Sequence, residues 1–421
     1  MTDDDRALLT RLFEAAVTAA DPRAALAGAL PERPRGRTVV VGAGKGAAQM
    51  GAAFEALWDA PVEGVLVTRY GYAAPCKSLK VLEAAHPVPD AAGLAAAQAL
   101  MAAVSGLGPD DLVVALVCGG GSALLPAPPR GLTLADEQAL NAALLASGAP
   151  ISAMNSIRKQ VSLIKGGRLA AVAHPARVVS LIVSDVPGDD PAQVASGPTV
   201  PDPQGRAEAL AHLRAFGIEL PDRVAAFLAS APEDAPRPDD PGFSRDTVRV
   251  VASASISLEA AARAAEAAGL RAVILSDAIE GEAREVGKVH AALAREVALR
   301  NRPFDRPVVV LSGGETTVTI RGPGGRGGRN TEFLLSAALA LDGVGGVAAL
   351  AADTDGIDGS EDNAGAFADG ATAARLRDAG LDPSALLSGH DAWTAFAALG
   401  DLFVPGPTGT NVNDFRAFLI R

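Results

Sequence analysis

Short β-branched runs that end in glycine or aspartate, each followed by an Ala-rich helical stretch, recur along this chain, and that alternation restricts the fold more than any other feature. Thr38 to Gly42 ends in glycine ahead of a helix through Phe54, and Gly64 to Thr68 is a second strand. Ala91 to Val104 reads as a helix, Leu112 to Cys118 as a buried strand running into Gly119, Gly120 and Gly121, and Val178 to Ser184 as a strand ending at Asp185. Repeated strand, Gly-rich turn and helix predict a parallel sheet covered on both faces, with ligands at the carboxyl ends of its strands. Aromatic residues make up only 4%, so the core must be built from small and branched side chains on closely apposed α/β layers.

The first 30 residues carry Leu8, Leu9, Leu12, Phe13 and Val17 at helical spacing and predict an amphipathic helix. Between Ser230 and Asp246 the composition turns to Pro, Asp and Glu, which marks a linker. The expected domains are therefore 1–235, with a parallel sheet, and 245–421, a second α/β domain. The second series runs through strands Val248 to Ser253, Arg271 to Ser276, Pro307 to Ser312 and Val347 to Ala352. Thr316 to Ile320, after Gly313-Gly314, reads as a hairpin return, which makes this sheet mixed.

The chain has 421 residues and a formal net charge of −12, with no cluster of Lys/Arg and aromatics to attract a polyanion, so nucleic acid is excluded as a partner. An anionic substrate must then be held by a few placed cations and backbone N–H groups, a condition that kinases often meet with a metal ion. Cys76 and Cys118, the two cysteines, are far apart and lack metal-binding spacing, which fits a reducing cytoplasm. The acidic start, Met1 to Asp5, is unlike a signal peptide, and no apolar run reaches membrane length.

Several segments carry residues suited to chemistry. Gly42-Ala-Gly-Lys-Gly46 joins a strand to a helix; Gly44 permits tight turning and Lys45 supplies a point charge, although a plain tight turn explains the segment about as well. Gly119-Gly-Gly-Ser122 resembles a phosphate clamp, the alternative being an N-cap at Ser122. Asp185, with Asp189 and Asp190 soon after, offers a carboxylate for a substrate proton or for Mg²⁺, whereas acidic residues beside Pro and Gly are usually turn formers. Arg158, Lys159 and Lys165 are cations for a cleft or for a helix end. Glu315 and the stretch RGPGGRGGRN, with Arg321, Arg326, Arg329 and Asn330, combine glycines and cations in a way that suits close approach of backbone to a ligand. Asp355 and Asp358 lie in a carboxylate-rich loop suited to a metal, and a polar turn from Gly406 to Asp414 includes Asn411.

In order, GAGKGA (42–47), HPVPD (86–90), GGGSALL (119–125), IRKQVSLIKGGRL (157–169), SDVPGDDPAQVASGPTVPD (184–202), SGGETTVTIRGPGGRGGRNTE (312–332), TDGIDG (354–359) and GPTGTNVND (406–414) resemble the glycerate 2-kinase family, whose C-terminal half is the MOFRL domain. The resemblance covers nearly the whole chain and implies a Rossmann-like N-terminal domain, 1–235, on which the C-terminal tail packs back, and a smaller C-terminal MOFRL domain with a mixed sheet, 245–421. It implies ATP-dependent phosphorylation of D-glycerate to 2-phosphoglycerate with a divalent cation such as Mg²⁺, in a cytoplasmic enzyme for which a homodimer is an expected assembly. Carried over by position, Lys45, Asp185 and Arg329 are the catalytic residues. Gly44, Gly119, Gly120, Gly121, Ser122, Lys165, Glu315, Asn330, Asn411 and Asp414 bind substrate or nucleotide, and Asp185 and Asp355 are the metal carboxylates.

Two other functions compete. A hydroxypyruvate reductase using NAD(P)H would need a carboxylate at the end of the second strand, where the chain has Thr68, Arg69 and Tyr70. A non-catalytic nucleotide or sugar-phosphate sensor would use the same Gly-rich turns for binding without turnover.

Overall fold

The computed structural model describes residues 1–230, 234–320, 322 and 324–421. Residue contacts divide the chain into two compact units, Pro22–Val251 and a second made of Met1–Asp21 together with Ala252–Arg421.

In the first unit, β1 (Thr38–Ala43), β2 (Glu63–Arg69), β3 (Lys80–Ala84), β4 (Leu112–Cys118), β5 (Arg177–Val183) and β6 (Thr247–Ala252) form one Rossmann-like sheet in the order β3-β2-β1-β4-β5-β6. The pairs β2/β3, β1/β2, β1/β4 and β4/β5 are parallel. Every residue of β1 and β4 is buried, because helices cover both faces of such a sheet. Val39, Val41, Val113, Ala115 and Val117 pack with Ala96, Leu100 and Val104 of the helix Ala91–Val104. Asp90 starts that helix by accepting a hydrogen bond from the Gly93 N–H through its side chain. The helix Ala47–Leu57 buries Met50 and Phe54, and Phe54 stacks on Trp58 with ring centroids 5.2 Å apart. The sheet grows in opposite directions from β1 and β4, so the turns after these two strands diverge and open a crevice at their carboxyl ends.

The second unit contains β7 (Arg271–Ser276), β8 (Gly281–Glu282), β9 (Val308–Gly314), β10 (Thr316–Thr317), β11 (Val347–Asp353), β12 (Gly365–Asp369), β13 (Leu402–Phe403) and β14 (Asp414–Ile420). Its main sheet runs β13-β12-β11-β14-β9-β7; β7/β9 is parallel and the other neighbours are antiparallel. Side-chain alternation sends Val309, Leu311, Leu350, Phe415 and Leu419 to one face, against the helices Asp3–Ala20 and Ala254–Ala267. Val308, Val310, Ala351, Phe418 and Ile420 face the helices Ala283–Arg300 and Arg329–Ala340 on the other.

The predicted amphipathic helix is present as Asp3–Ala20, opened by a capping box between Thr2 and Asp5. Leu8, Leu9, Leu12 and Phe13 are buried, and Phe13 meets Phe403 and Phe415 edge to face at 5.0 and 5.8 Å. Burial at roughly 2 kcal/mol for each such side chain explains why this helix belongs to the second unit, although the expected domain 1–235 included it. The expected boundary at 235–245 also differs from the contact division at 251/252. Val248 to Ser253, expected to open the second series, instead forms β6 at the edge of the first sheet.

Two further expectations are corrected. Thr316 to Ile320 is not a hairpin return, since β10 pairs in parallel with β8 in a separate small sheet, and the mixed character of the main sheet comes from β14 and β12. The tail is an interior strand of the second sheet and not a segment left over to pack back: β14 sits between β11 and β9, fully buried. Among the described residues, no helix is long and apolar enough to cross a membrane.

Candidate functional site

The carboxyl ends of β1, β4 and β5 bring Lys45, Gly119, Gly120 and Asp185 together. The Lys45 N–H donates to the Gly119 carbonyl at 2.9 Å, tying the turn after β1 to the turn after β4. The other amides of the first turn are also used internally, Gly44 N–H on the Val67 carbonyl at 3.2 Å and Gly46 N–H on the Cys118 sulfur at 3.1 Å. The Thr68 hydroxyl donates to the Lys45 carbonyl at 2.9 Å. This turn is therefore no cradle of free N–H groups; Lys45 contributes through its side chain, which makes no ion pair among the described residues.

The second turn is different. Gly120 has φ +80°, the left-handed conformation that glycine adopts without steric cost. A Cβ at Gly119 would lie 1.9 Å from Asp185 Oδ2, and one at Gly120 would lie 3.1 Å from both Lys45 Cγ and His86 Nε2. Lys45, His86 and Asp185 thus surround one bare stretch of backbone. Among the described residues nothing accepts the N–H groups of Gly119, Gly120 or Gly121, which leaves them as donors for an anion. The Cys118 thiol is pushed up to about 12 by burial, with the Gly46 N–H opposing and the nearby Asp185 charge adding to the shift.

Ser122 is not an N-cap, because Gly120 occupies that position and Ser122 lies inside the short helix Gly121–Leu124. Its hydroxyl is 2.6 Å from that of Ser196, which donates to Asn155 Oδ1 at 3.0 Å. Ala195, Ser196 and Gly197 have φ values of 52, 59 and 58°, so two non-glycine residues are held in the left-handed region at a cost of roughly 1 kcal/mol or more each. The amides of Gly166 and Gly167 hold that segment by donating to the carbonyls of Ser196 and Gly197 at 3.0 and 2.7 Å.

The cations expected near this cleft are otherwise engaged. Lys165 is buried and donates to Glu137 Oε1 at 2.7 Å and to the Leu125 carbonyl at 2.8 Å. Lys159 forms a buried ion pair with Asp202, and Arg158 donates to Asn141 and Asn155. Asp190 closes its own turn by accepting the Ala192 N–H at 3.0 Å, and Asp189 is a left-handed turn residue.

In the second unit, Arg329 opens the helix Arg329–Ala340 and is gripped by carboxylates on three sides. Its Nε donates to Asp414 Oδ1 at 2.6 Å, one terminal nitrogen to Asp353 Oδ2 at 2.6 Å and the other to Glu315 Oε1 at 3.0 Å. Burial works against the charge, yet Asp414, Asp353 and Glu315 together raise the Arg329 pKa above its ordinary value. Asn330 donates to Asp414 Oδ1 at 2.8 Å, and fully buried Arg416 pairs with the other Asp414 oxygen. Burial raises the Asp353 pKa well above the carboxylate range, against the opposing charge of Arg329.

Asp358, read from sequence as a metal carboxylate, instead caps this helix. It accepts the Asn330 and Thr331 N–H groups at 2.9 Å each, a task that Gly328 at the N-cap has no side chain to perform. A Cβ at Gly328 would lie 2.3 Å from Asp358 Oδ1, so there the glycine admits a carboxylate rather than a ligand. Arg326 stacks over Trp393 and pairs with Glu361 at 2.5 Å, while Arg321 lies outside the described residues. A cavity of about 560 Å³ in this unit is lined by Glu315, Thr317, Gly327, Arg329, Glu332 and His390, among others. Asn411 accepts the Asn413 N–H at 3.1 Å in the loop before β14.

Among the described residues, no group of three or more His, Cys, Asp or Glu is arranged to hold a metal. A Mg²⁺ ion held mainly by phosphate oxygens needs only one or two protein carboxylates, and Asp185 beside the Gly119 turn fits that requirement. Asp355 Oδ1 already accepts the Ile357 N–H at 2.8 Å.

Sequence reasoning missed His86, Arg69, Asp353 and Arg416 as members of these clusters. His86 stood in a quoted motif without a role, and its position directly after β3 was the available sign. Arg416 lies on a strand that periodicity did not reveal.

Comparison with known proteins agrees with this architecture. The DUF4147 family, described as a domain of unknown function, matches residues 8–229, and the MOFRL family matches residues 308–414. A relative from Agrobacterium vitis that bears the provisional name hydroxypyruvate reductase is 56% identical, over 99% of this chain and 94% of its own. The D-glycerate 2-kinase of Thermotoga maritima is 38% identical over 98% of both. The crystal structure of a glycerate kinase from Thermotoga maritima superposes over all of both chains with a TM-score of 0.91 at 36% identity.

Proposed function

Because this chain belongs to the glycerate 2-kinase family with its MOFRL domain, we propose that it transfers the γ-phosphoryl group of ATP to the 2-hydroxyl of D-glycerate, giving 2-phosphoglycerate and ADP. The observation that carries the reading is the convergence of Lys45, Asp185 and the unpartnered Gly119–Gly121 amides at the carboxyl ends of one parallel sheet. Phosphoryl transfer asks chiefly for positioning and for stabilisation of charge on the migrating group.

In this mechanism the 2-hydroxyl oxygen attacks the γ-phosphorus, the bond to the ADP oxygen breaks, and the hydroxyl proton passes to Asp185. Lys45 and the Gly119–Gly121 N–H groups neutralise the equatorial oxygens as charge spreads over them. A bound Mg²⁺, for which Asp185 is the proposed carboxylate, would supply further neutralisation on the phosphates. Within the second unit, Arg329, Asn330, Glu315, Asn411 and Asp414 are proposed as ligand-binding residues. Arg329 is locked to three carboxylates, which suits a fixed positive point. Free thiols at Cys76 and Cys118 are compatible with the cytoplasm proposed for the enzyme.

The name borne by the Agrobacterium vitis relative favours a second reading, an NAD(P)H-dependent hydroxypyruvate reductase. The end of β2 opposes it: Thr68 spends its hydroxyl on Lys45 and Arg69 follows, where a ribose-binding site calls for a carboxylate. The amides of the turn after β1 are also consumed within the protein rather than offered to a pyrophosphate. Incubation of the purified protein with D-glycerate, ATP and Mg²⁺ should yield ADP, while NADH with hydroxypyruvate should remain unconsumed. The converse result would replace the kinase by the reductase, and binding without either turnover would favour a sensor.

A further inference from the structure

We propose that Arg69 and His86, beside Lys45, form the subsite that holds the carboxylate of the hydroxy-acid acceptor. The inference rests on the kinase reading and adds to it the part of the substrate that is not phosphorylated.

Backbone geometry brings the three side chains together. Arg69 is the last residue of β2 and pairs in register with Ala84 of the parallel neighbour β3, two residues before His86. The Tyr70 N–H donates to the Ala84 carbonyl at 3.1 Å, which fixes the two strand ends against each other. Lys45 follows β1, the neighbour of β2 on its other side, and its Cγ and the His86 Nε2 approach the same point on Gly120 to 3.1 Å. Three consecutive strands thus each deliver one nitrogen-bearing side chain to the same edge of the sheet.

These groups lack protein partners of the kind they need. In a chain with 49 acidic and 37 basic residues, most buried or half-buried cations are claimed by carboxylates. Among the described residues, Lys45 and Arg69 have no carboxylate within ion-pair distance, and neither nitrogen of His86 makes a hydrogen bond. The nearest acids are engaged elsewhere, Asp90 by Tyr70 and the Gly93 N–H, and Glu83 by the Gly71 N–H at 2.7 Å. Arg69 is also held in place, because its guanidinium lies 4.3 Å from the centre of the Tyr72 ring.

Burial, then Lys45 and Arg69, hold the His86 pKa down to about 4. A neutral imidazole has one N–H to donate, so it adds a hydrogen bond to an anion that two cations already attract. A short anion with an adjacent hydroxyl matches this arrangement: the carboxylate sits at Arg69 and His86, while Lys45 and His86 both border the Gly120 backbone. The phosphates of the nucleotide share the same anionic chemistry, and the test separates the two.

Turnover of D-glycerate is compared with that of glycerol, which presents the hydroxyl without the carboxylate, in wild type, Arg69→Gln, Arg69→Lys, His86→Gln and His86→Leu. Arg69→Gln should raise the KM for glycerate roughly 10- to 100-fold and lower the glycerate-over-glycerol preference by a similar factor, with the KM for ATP unchanged. Arg69→Lys should recover part of the preference, and His86→Gln should retain more of it than His86→Leu. A rise in the KM for ATP with glycerate unaffected would assign the groups to phosphate, and unchanged preference in every variant would remove them from recognition; either result overturns the proposal. If wild type turns over no glycerate, the kinase reading fails on its own, and the subsite is then judged by calorimetric titration with D-glycerate. Binding by wild type that is lost in Arg69→Gln supports the subsite, and absence of binding by wild type rejects it.

Discussion

Gly119 and Asp185 approach so closely that a single methyl group at the glycine would lie 1.9 Å from Asp185 Oδ2. The sheet therefore reserves the space above this glycine for a carboxylate. Gly119→Ala is predicted to displace Asp185 by about an ångström and to lower kcat roughly 100-fold. Steady-state kinetics beside circular dichroism checks this; full activity would show that Asp185 need not stand where it does.

Lys45 has no carboxylate partner among the described residues, so its loss should cost little folding energy. Lys45→Ala is predicted to reduce kcat by several orders of magnitude, at least the roughly 10²–10³-fold seen for removal of one preorganised charge-stabilising donor, while the unfolding midpoint stays close to wild type. A kcat near wild type would take the side chain out of the chemistry.

Arg329 should behave in the opposite way. Asp414 and Asp353 are buried around it, and its removal leaves them without their cation. Arg329→Met is predicted to destabilise the protein by about 3–5 kcal/mol, and Arg329→Lys by less, because lysine restores the charge but not the three-way geometry. Urea unfolding measures both, and equal loss in the two variants would show that geometry alone matters.

His290 is neutral in the folded protein. Its Nδ1–H donates to the Val286 carbonyl at 2.9 Å, so Nε2 is free to accept from the Ser312 hydroxyl, also at 2.9 Å. Burial holds its pKa near 4, whereas the unfolded chain protonates near 6.5. The unfolded state therefore takes up the proton first as pH falls. Stability should be intact above about pH 6.5 and should decline toward pH 4, by roughly 3 kcal/mol for this group. Urea midpoints across that range, compared with those of His290→Leu, test the slope; parallel profiles would assign the loss to other residues.

Much of the first sheet could be read from the chain because β1, β4 and β5 are largely apolar runs leading into turns that carry glycine or aspartate, the pattern that burial on both faces imposes. β14 was hidden for a physical reason. It carries Arg416 in its middle, a residue that looks like a surface cation until Asp414 and the Gly313 carbonyl supply its partners. The same reason concealed the fate of Lys165 and Lys159, whose carboxylates Glu137 and Asp202 lie 28 and 43 residues away in sequence. Lys45 and Asp185 stand out in the sequence because each lies two residues past the end of a strand. Arg69 ends a strand and His86 lies two residues past one, but what brings them together is strand order, which periodicity does not contain.

The helix Asp3–Ala20 finds its packing partners only in residues that come long after it, in Ala254–Ala267 and in the aromatic side chains Phe403 and Phe415. During synthesis at roughly 5–20 residues per second, its Leu and Phe side chains wait for tens of seconds while the compact unit Pro22–Val251 is made. The second core is therefore closed by segments from opposite ends of the sequence, the helix Asp3–Ala20 and the strand β14.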